Sequence, residues 1–221
     1  AAATPVPAWE VRKPVIAAVN GHAIGVGFTI ALQCDIRIFA ADAKYGTVQV
    51  RRGVMGDAYS HWTLPRLCGV SAAAEILLTG RTFDGRAAKG YGLCSRVLPN
   101  DEVLPAALEL ARDIAANTAP LSVALSKRLL WDSAGLSRDD VGARESSDHR
   151  ILLAHDDARE GVMAFLERRP PRWTGRTGSP ARRRFTNGAD GILSADVSDA
   201  TQHIRCALGR RIERASESDD G

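Results

Sequence analysis

Asp57 is the side chain in this sequence best placed to move a proton. It closes a glycine-flanked loop, Gly53-Val54-Met55-Gly56-Asp57, where a carboxylate can be held at the edge of a cleft as an acid or base. The same position suits an ordinary turn or helix-capping aspartate, and the residues alone leave both readings open. A second chemical feature lies upstream. Gly21, Gly25 and Gly27 fall close together between an apolar β-branched run and a small-residue segment at 28–33. A strand, a glycine-rich turn and a helix start, in that order, let backbone N–H groups point at negative charge. His22 and His61 are lone histidines, which are more often hydrogen-bonded structure than catalysts, and no cluster at metal spacing accompanies them, so no metal site is predicted. Arg182-Arg183-Arg184 could meet nucleic acid or an anionic surface. Only Phe185 interleaves it, so it reads as a solvated run and nucleic acid is not expected as a partner.

The elements that must hold these groups follow from pattern. Residues 15–19, bounded by Pro14 and Asn20-Gly21, predict a short buried strand. Residues 36–39 alternate as a second strand, and 45–50 suggest a third extended piece. Helices are expected over 59–67 and over 71–78, the latter capped by Ser71 and stopped at Thr79-Gly80. Asp84 caps a short helix ending near Gly90, and 93–98 is a further strand. Pro99-Asn100-Asp101 opens a long helix with Val103, Leu104, Leu108, Ala111 and Ile114 at helical spacing. Pro120 opens another, and 139–155 and 157–168 read as two more. From 168 to 184 there are seven arginines and no acid. The expectation beyond about residue 175 is a poorly ordered tail with one weakly periodic piece at 204–212.

Apolar residues at 45% and charged residues at 25%, with a net charge of +3, describe a globular chain rather than a polycation. The four cysteines show no CxxC spacing and are read as reduced thiols of a cytoplasmic protein. No apolar run reaches about 18 residues, so no membrane span is predicted. The N-terminus carries no basic segment ahead of an apolar one and no initiator Met, which suggests a processed or truncated chain rather than a secretory leader.

Six ordered blocks carry a resemblance: KPVIAAVNGHAIGVGF with ALQCDIRI, ADAKYGTVQVRRGVMG, LPRLCG, AAEILLTGRTFDGRAAKGYGLCSRVLP, and DDAREGVMAFLERRPPRWTG. Over about residues 13–175 the chain resembles the crotonase (enoyl-CoA hydratase/isomerase) superfamily. The resemblance implies an α/β fold: a ββα spiral, here partial because the N-terminal half is absent, followed by a C-terminal helical trimerisation region. The implied divisions are an irregular lead-in at 1–12, the α/β core at 13–135, the helical region meeting CoA and neighbouring subunits at 136–174, and the arginine-rich tail at 175–221.

The resemblance further implies an acyl-CoA thioester as substrate, a homotrimer or dimer of trimers, and an oxyanion hole that stabilises a thioester enolate. No separate cofactor is expected, since coenzyme A enters with the substrate. Val26 aligns with a backbone oxyanion donor, and Asp57 with an aspartate that acts as acid/base or nucleophile in some relatives. The two glutamates of the hydratases fall at Thr29 and Gln49, neither of which can be a carboxylate base. They either hydrogen-bond substrate or water, or are inert. Ile24, Gly25, Gly27, Val48, Arg52 and Gly56 are the other expected substrate contacts. Phe165, Arg168 and Arg169 align where the family meets the adenine and phosphates of CoA, although a solvated helix end would look the same. The leading expectation is a hydratase/isomerase-like lyase or isomerase. The alternative is a non-catalytic acyl-CoA binder or inactive fragment.

Overall fold

The computed structural model describes residues 6–176. The order of elements is β1 (Ile16–Val19), β2 (Ala23–Ile24), α1 (Val26–Ala31), β3 (Ile36–Ala40), β4 (Tyr45–Gly46), α2 (Ser60–Thr79), α3 (Gly85–Gly90), β5 (Arg96–Leu98), α4 (Asn100–Asn117), α5 (Pro120–Asp132), α6 (Arg138–Leu153) and α7 (Asp156–Leu166). Strands β1, β3 and β5 form one parallel sheet in that order, and β2 and β4 form a second. Ile16 stands beside Ile36 and Ala23 beside Tyr45, so the chain climbs a spiral of about twenty residues per turn, giving one strand to each sheet.

The core lies inside this spiral. Phe28, Leu32, Ile38, Phe39, Tyr45, Leu64 and Leu93 are completely buried. Phe39 and Tyr45 stack with ring centroids 4.4 Å apart, and the Tyr45 hydroxyl donates to the carbonyls of Val19 and Ala40, so this buried polar tip is satisfied. Helix α4 covers β1 and β3. Helix α3 begins as its sequence predicts, with Asp84 accepting from the Ala87 N–H at 2.8 Å. Its first residue, Gly85, lies against β3, and a Cβ there would fall 2.2 Å from the Ala40 carbonyl oxygen. Gly85→Ala is therefore expected to destabilise the chain by about 2 kcal/mol, because backbone rather than a flexible side chain must give way. Chemical denaturation with an unchanged slope would register it.

One local expectation changes. The segment 45–50 is not one extended piece. After β4 the Thr47 hydroxyl donates to the Ile76 carbonyl and Gln49–Arg52 winds into a 3-10 turn. The two helices expected at 59–67 and 71–78 are both present within α2, parted at Gly69, whose φ of 74° and ψ of 164° are not helical and whose positive φ only glycine adopts readily.

The expectation of a partial ββα spiral is also corrected. The described elements, β1 to β5 and α1 to α7, make one continuous mixed α/β core, and the chain ahead of β1 is built into it. Pro7 is buried, and Ala8–Glu10 forms a 3-10 turn. Trp9 packs against Trp62 and Trp131 with centroids 5.0 and 5.5 Å away. Lys127 on α5 fastens this turn by donating to the carbonyls of Ala8 and Lys13 at 2.8 and 3.0 Å. Its third donor meets Asp35 at 2.7 Å, while Asp35 also accepts from the Val15 N–H and the Trp131 indole.

Beyond α7 the chain turns back. The Trp173 indole donates to the Ala116 carbonyl, and the N–H groups of Thr174 and Gly175 donate to the buried Asp157 carboxylate. Among the described residues no helix is long and apolar enough to cross a membrane. The arginine cluster at 182–184 and the periodic piece at 204–212 lie outside the described residues.

Candidate functional site

The glycine-rich turn and the Asp57 loop meet. Gly25, with φ 64°, reverses the chain after β2, donates its N–H to Gly46 at 2.9 Å and opens α1. No side chain caps that helix, so the N–H groups of Val26 and Gly27 begin it without intrahelical acceptors. One turn in, Thr29 is fully buried. Its hydroxyl has the Val26 carbonyl at 3.1 Å and Asp57 Oδ1 at 2.9 Å as acceptors, and the carboxylate is the stronger of the two. Gln49, from the 3-10 turn, donates Nε2 to the same Oδ1 at 3.1 Å.

Asp57 is thus held from two sides through one oxygen, and Oδ2 takes no bond from the described residues. The amide of Gln49 stands over Gly25, its Nε2 3.8 Å from where a Cβ would be. Its other end is unusual. Gln49 Oε1 is buried and has no hydrogen-bond partner, a state that costs about 1–3 kcal/mol.

The loop that carries Asp57 is tightly specified. A Cβ on Gly56 would fall 2.5 Å from Ser60 Oγ. Ala58 and Tyr59 both have positive φ, 43° and 64°, conformations that non-glycine residues hold only when neighbours over-determine them. The neighbour here is Gln33, 1% exposed, whose Nε2 donates to the Ala58 carbonyl at 3.0 Å. The sequence reading missed Gln33, Ala58 and Tyr59. A glutamine inside the otherwise apolar run before Cys34 was the available signal.

The remaining expected residues divide. Ile24, Val48 and Gly27 belong to the segments surrounding Thr29 and Gln49, and Ile24 is 41% exposed. Arg52 ends the 3-10 turn, exposed, with a long contact to the Val48 carbonyl at 3.4 Å. His22 Nδ1 accepts from the Lys44 N–H at 2.8 Å, a backbone-pinning role, and His61 sits in the first turn of α2 beside Gly56.

Phe165, Arg168 and Arg169 are gathered at the end of α7, and none of their hydrogen bonds reaches the Asp57 group. Phe165 is 82% exposed and borders an apolar cavity of about 410 Å³ lined also by Leu121, Leu152, Val162 and Trp173. Arg169 is occupied. It grips Glu160 with both terminal nitrogens, at 2.6 and 2.9 Å, and Glu167 with Nε. The Arg169 fork, with the Arg172 N–H, draws the Glu160 carboxyl down to about 2.

Comparisons with known proteins agree on one family. The model for "Enoyl-CoA hydratase/isomerase" matches residues 7–176. An enoyl-CoA hydratase of Alternaria alternata is 41% identical over 163 residues, 73% of this chain and 55% of that protein. The 2,3-dehydroadipyl-CoA hydratase of Escherichia coli is 36% identical over 165 residues, 75% of this chain and 64% of its own length. The crystal structure of a probable enoyl-CoA hydratase/isomerase from Mycobacterium abscessus superposes with a TM-score of 0.77 at 55% identity, covering 78% of this chain and 68% of that one.

The family match begins at residue 7, ahead of β1, and takes in every described element. It thereby corrects the expectation of a chain lacking the family's N-terminal half. The chain spans about 55% to 64% of the length of these two curated relatives.

Proposed function

Because this chain belongs to the enoyl-CoA hydratase/isomerase family, we propose that it acts on an acyl-CoA thioester through an enolate, as an isomerase- or hydratase-like enzyme. The observation that carries the chemistry is the convergence of Thr29 and Gln49 on Asp57 Oδ1. Two side chains that cannot ionise hold a single carboxylate by one oxygen and leave the other free to exchange a proton. The Val26 N–H, at the uncapped start of α1, would receive the thioester oxygen as charge develops there. A donor in such a position is worth about 3 kcal/mol of barrier. With one carboxylate the same group removes and returns the proton, which suits a proton shift along the acyl chain as well as addition of water.

Exposed Leu153, Val162, Phe165 and Leu166 support a trimer formed through α6 and α7, with Phe165 and Arg168 toward CoA. The three free thiols among the described residues fit a cytoplasmic location. The test is α-proton exchange in deuterium oxide over a panel of saturated and unsaturated acyl-CoA thioesters, followed by mass spectrometry. Exchange above the protein-free rate is expected with at least one thioester. No exchange with any would sink the enolate reading.

A further inference from the structure

Gln33 is a polar residue that the core does not need. It sits just past the end of α1, 1% exposed, between Leu32 and Cys34, which are buried too. An apolar side chain would fill such a place without taking an amide out of water, so packing does not account for a glutamine here. What the amide does is donate Nε2 to the Ala58 carbonyl at 3.0 Å. The carbonyls on either side belong to the start of α2. That of Asp57 accepts from the Ser60 N–H, and that of Tyr59 from the Trp62 and Thr63 N–H groups. Ala58, with positive φ at itself and at Tyr59, turns its carbonyl to Gln33 instead. Four residues before Gln33, Thr29 holds Asp57 Oδ1, and three before that Val26 opens α1. One short segment therefore carries the oxyanion donor of the function proposed above, a hold on the carboxylate, and a hold on the backbone next to it.

We propose that Gln33 is a positioning residue for this site: by pinning the Ala58 carbonyl it keeps the 58–59 pair left-handed, and so fixes where Asp57 stands relative to the Val26 N–H. This rests on the acyl-CoA reading and extends it to a residue that acts through the backbone. Non-glycine residues leave the left-handed region when nothing holds them there. Asp57 would then move away from the place where Thr29 and Gln49 meet Oδ1. A displacement of about 1 Å at a reacting group can cost about 10²-fold in rate.

Gln33→Met, of similar length and apolar, tests it by α-proton exchange on each thioester that the wild-type chain exchanges, beside crystal structures of both chains. The variant is expected to lose about 30-fold in kcat with KM within about twofold, a loss in the chemical step rather than in binding. Its structure should show Ala58 outside positive φ and Asp57 off Thr29 or Gln49. Glycine holds positive φ without a restraint, so adding Ala58→Gly should recover about tenfold. Gln33→Glu supplies a readout that packing alone would not move. The introduced carboxyl can donate to Ala58 only while protonated, and burial raises its pKa, so its rate relative to wild type should fall about tenfold between about pH 6 and pH 8. That profile carries the test if thermal melts show Gln33→Met to be unfolded, and a ratio flat with pH would then overturn the proposal. With Gln33→Met folded, an unchanged kcat, or an Ala58–Tyr59 turn and Asp57 contacts that persist in its structure, overturns it. Absence of exchange by the wild-type chain would instead overturn the acyl-CoA reading, while the two crystal structures still decide whether Gln33 places Asp57.

Discussion

Lys127→Met is expected to lower the melting temperature by about 10 °C, the largest stability loss anticipated from a single side chain here. The residue is nearly inaccessible, at 6% exposure, and all three donors of its ammonium are used: on Asp35, on Ala8 and on Lys13. Burial pushes the Lys127 pKa below its ordinary value, and the bond to Asp35 opposes that push. Methionine would fill the space but strand the Asp35 carboxylate, 10% exposed at its side chain, against the Val15 N–H and the Trp131 indole alone. Breaking one side of a buried pair costs about 3–5 kcal/mol, and each kcal/mol moves the midpoint of a domain this size by about 2–4 °C. The double variant Lys127→Met with Asp35→Asn should recover part of the loss, because the stranded charge goes with it. A melting temperature within about 2 °C of wild type for Lys127→Met alone would show that the pair adds nothing.

Asp57→Asn should reduce turnover of any responsive enoyl- or dienoyl-CoA by about 10²–10⁴-fold, the range of general acid–base catalysis. The substitution is chosen because asparagine can keep Oδ1 in place, still accepting from Thr29 and Gln49, while Oδ2 becomes an amide that cannot take a proton. Fold and thioester affinity should therefore persist, which separates lost chemistry from lost structure. Binding within about twofold of wild type and a matching thermal midpoint are the required controls. Unchanged turnover would remove Asp57 from the mechanism.

What the sequence revealed and what it concealed differ by range of contact. The β1 strand and the turn after it were legible because Pro14 and Asn20-Gly21 bracket them locally. The same holds for α3, whose cap and C-terminal glycine are both written within seven residues. The convergence at Asp57 was half legible. Thr29 and Gln49 were singled out by family position, but Tyr45 to Val50 looked like a single extended piece. Thr47 reaches across to Ile76 and bends it, and that bend brings Gln49 to Asp57.

The Lys127 cluster left almost no trace, because its partners Ala8 and Lys13 lie 119 and 114 residues away. Its one signature was a lysine among the buried positions of α5, beside Leu121, Ala124 and Leu125. The paired positive φ values at Ala58 and Tyr59 had no signature at all, since neither residue is one that favours them.

The packing of Trp9 against Trp62 and Trp131 has an optical meaning. Three of the four tryptophans share one corner, with neighbouring rings 5.0 to 5.7 Å apart and tilted by 16° to 47°. Indoles at such separations couple their excitations and pass energy among themselves, so near-ultraviolet light absorbed by any one is emitted from the group. The chain's intrinsic fluorescence is thus weighted toward the place where the N-terminal turn, α2 and α5 come together. Tyr59, edge-on to Trp9 at 5.2 Å and two residues beyond Asp57, connects that lamp to the Asp57 loop.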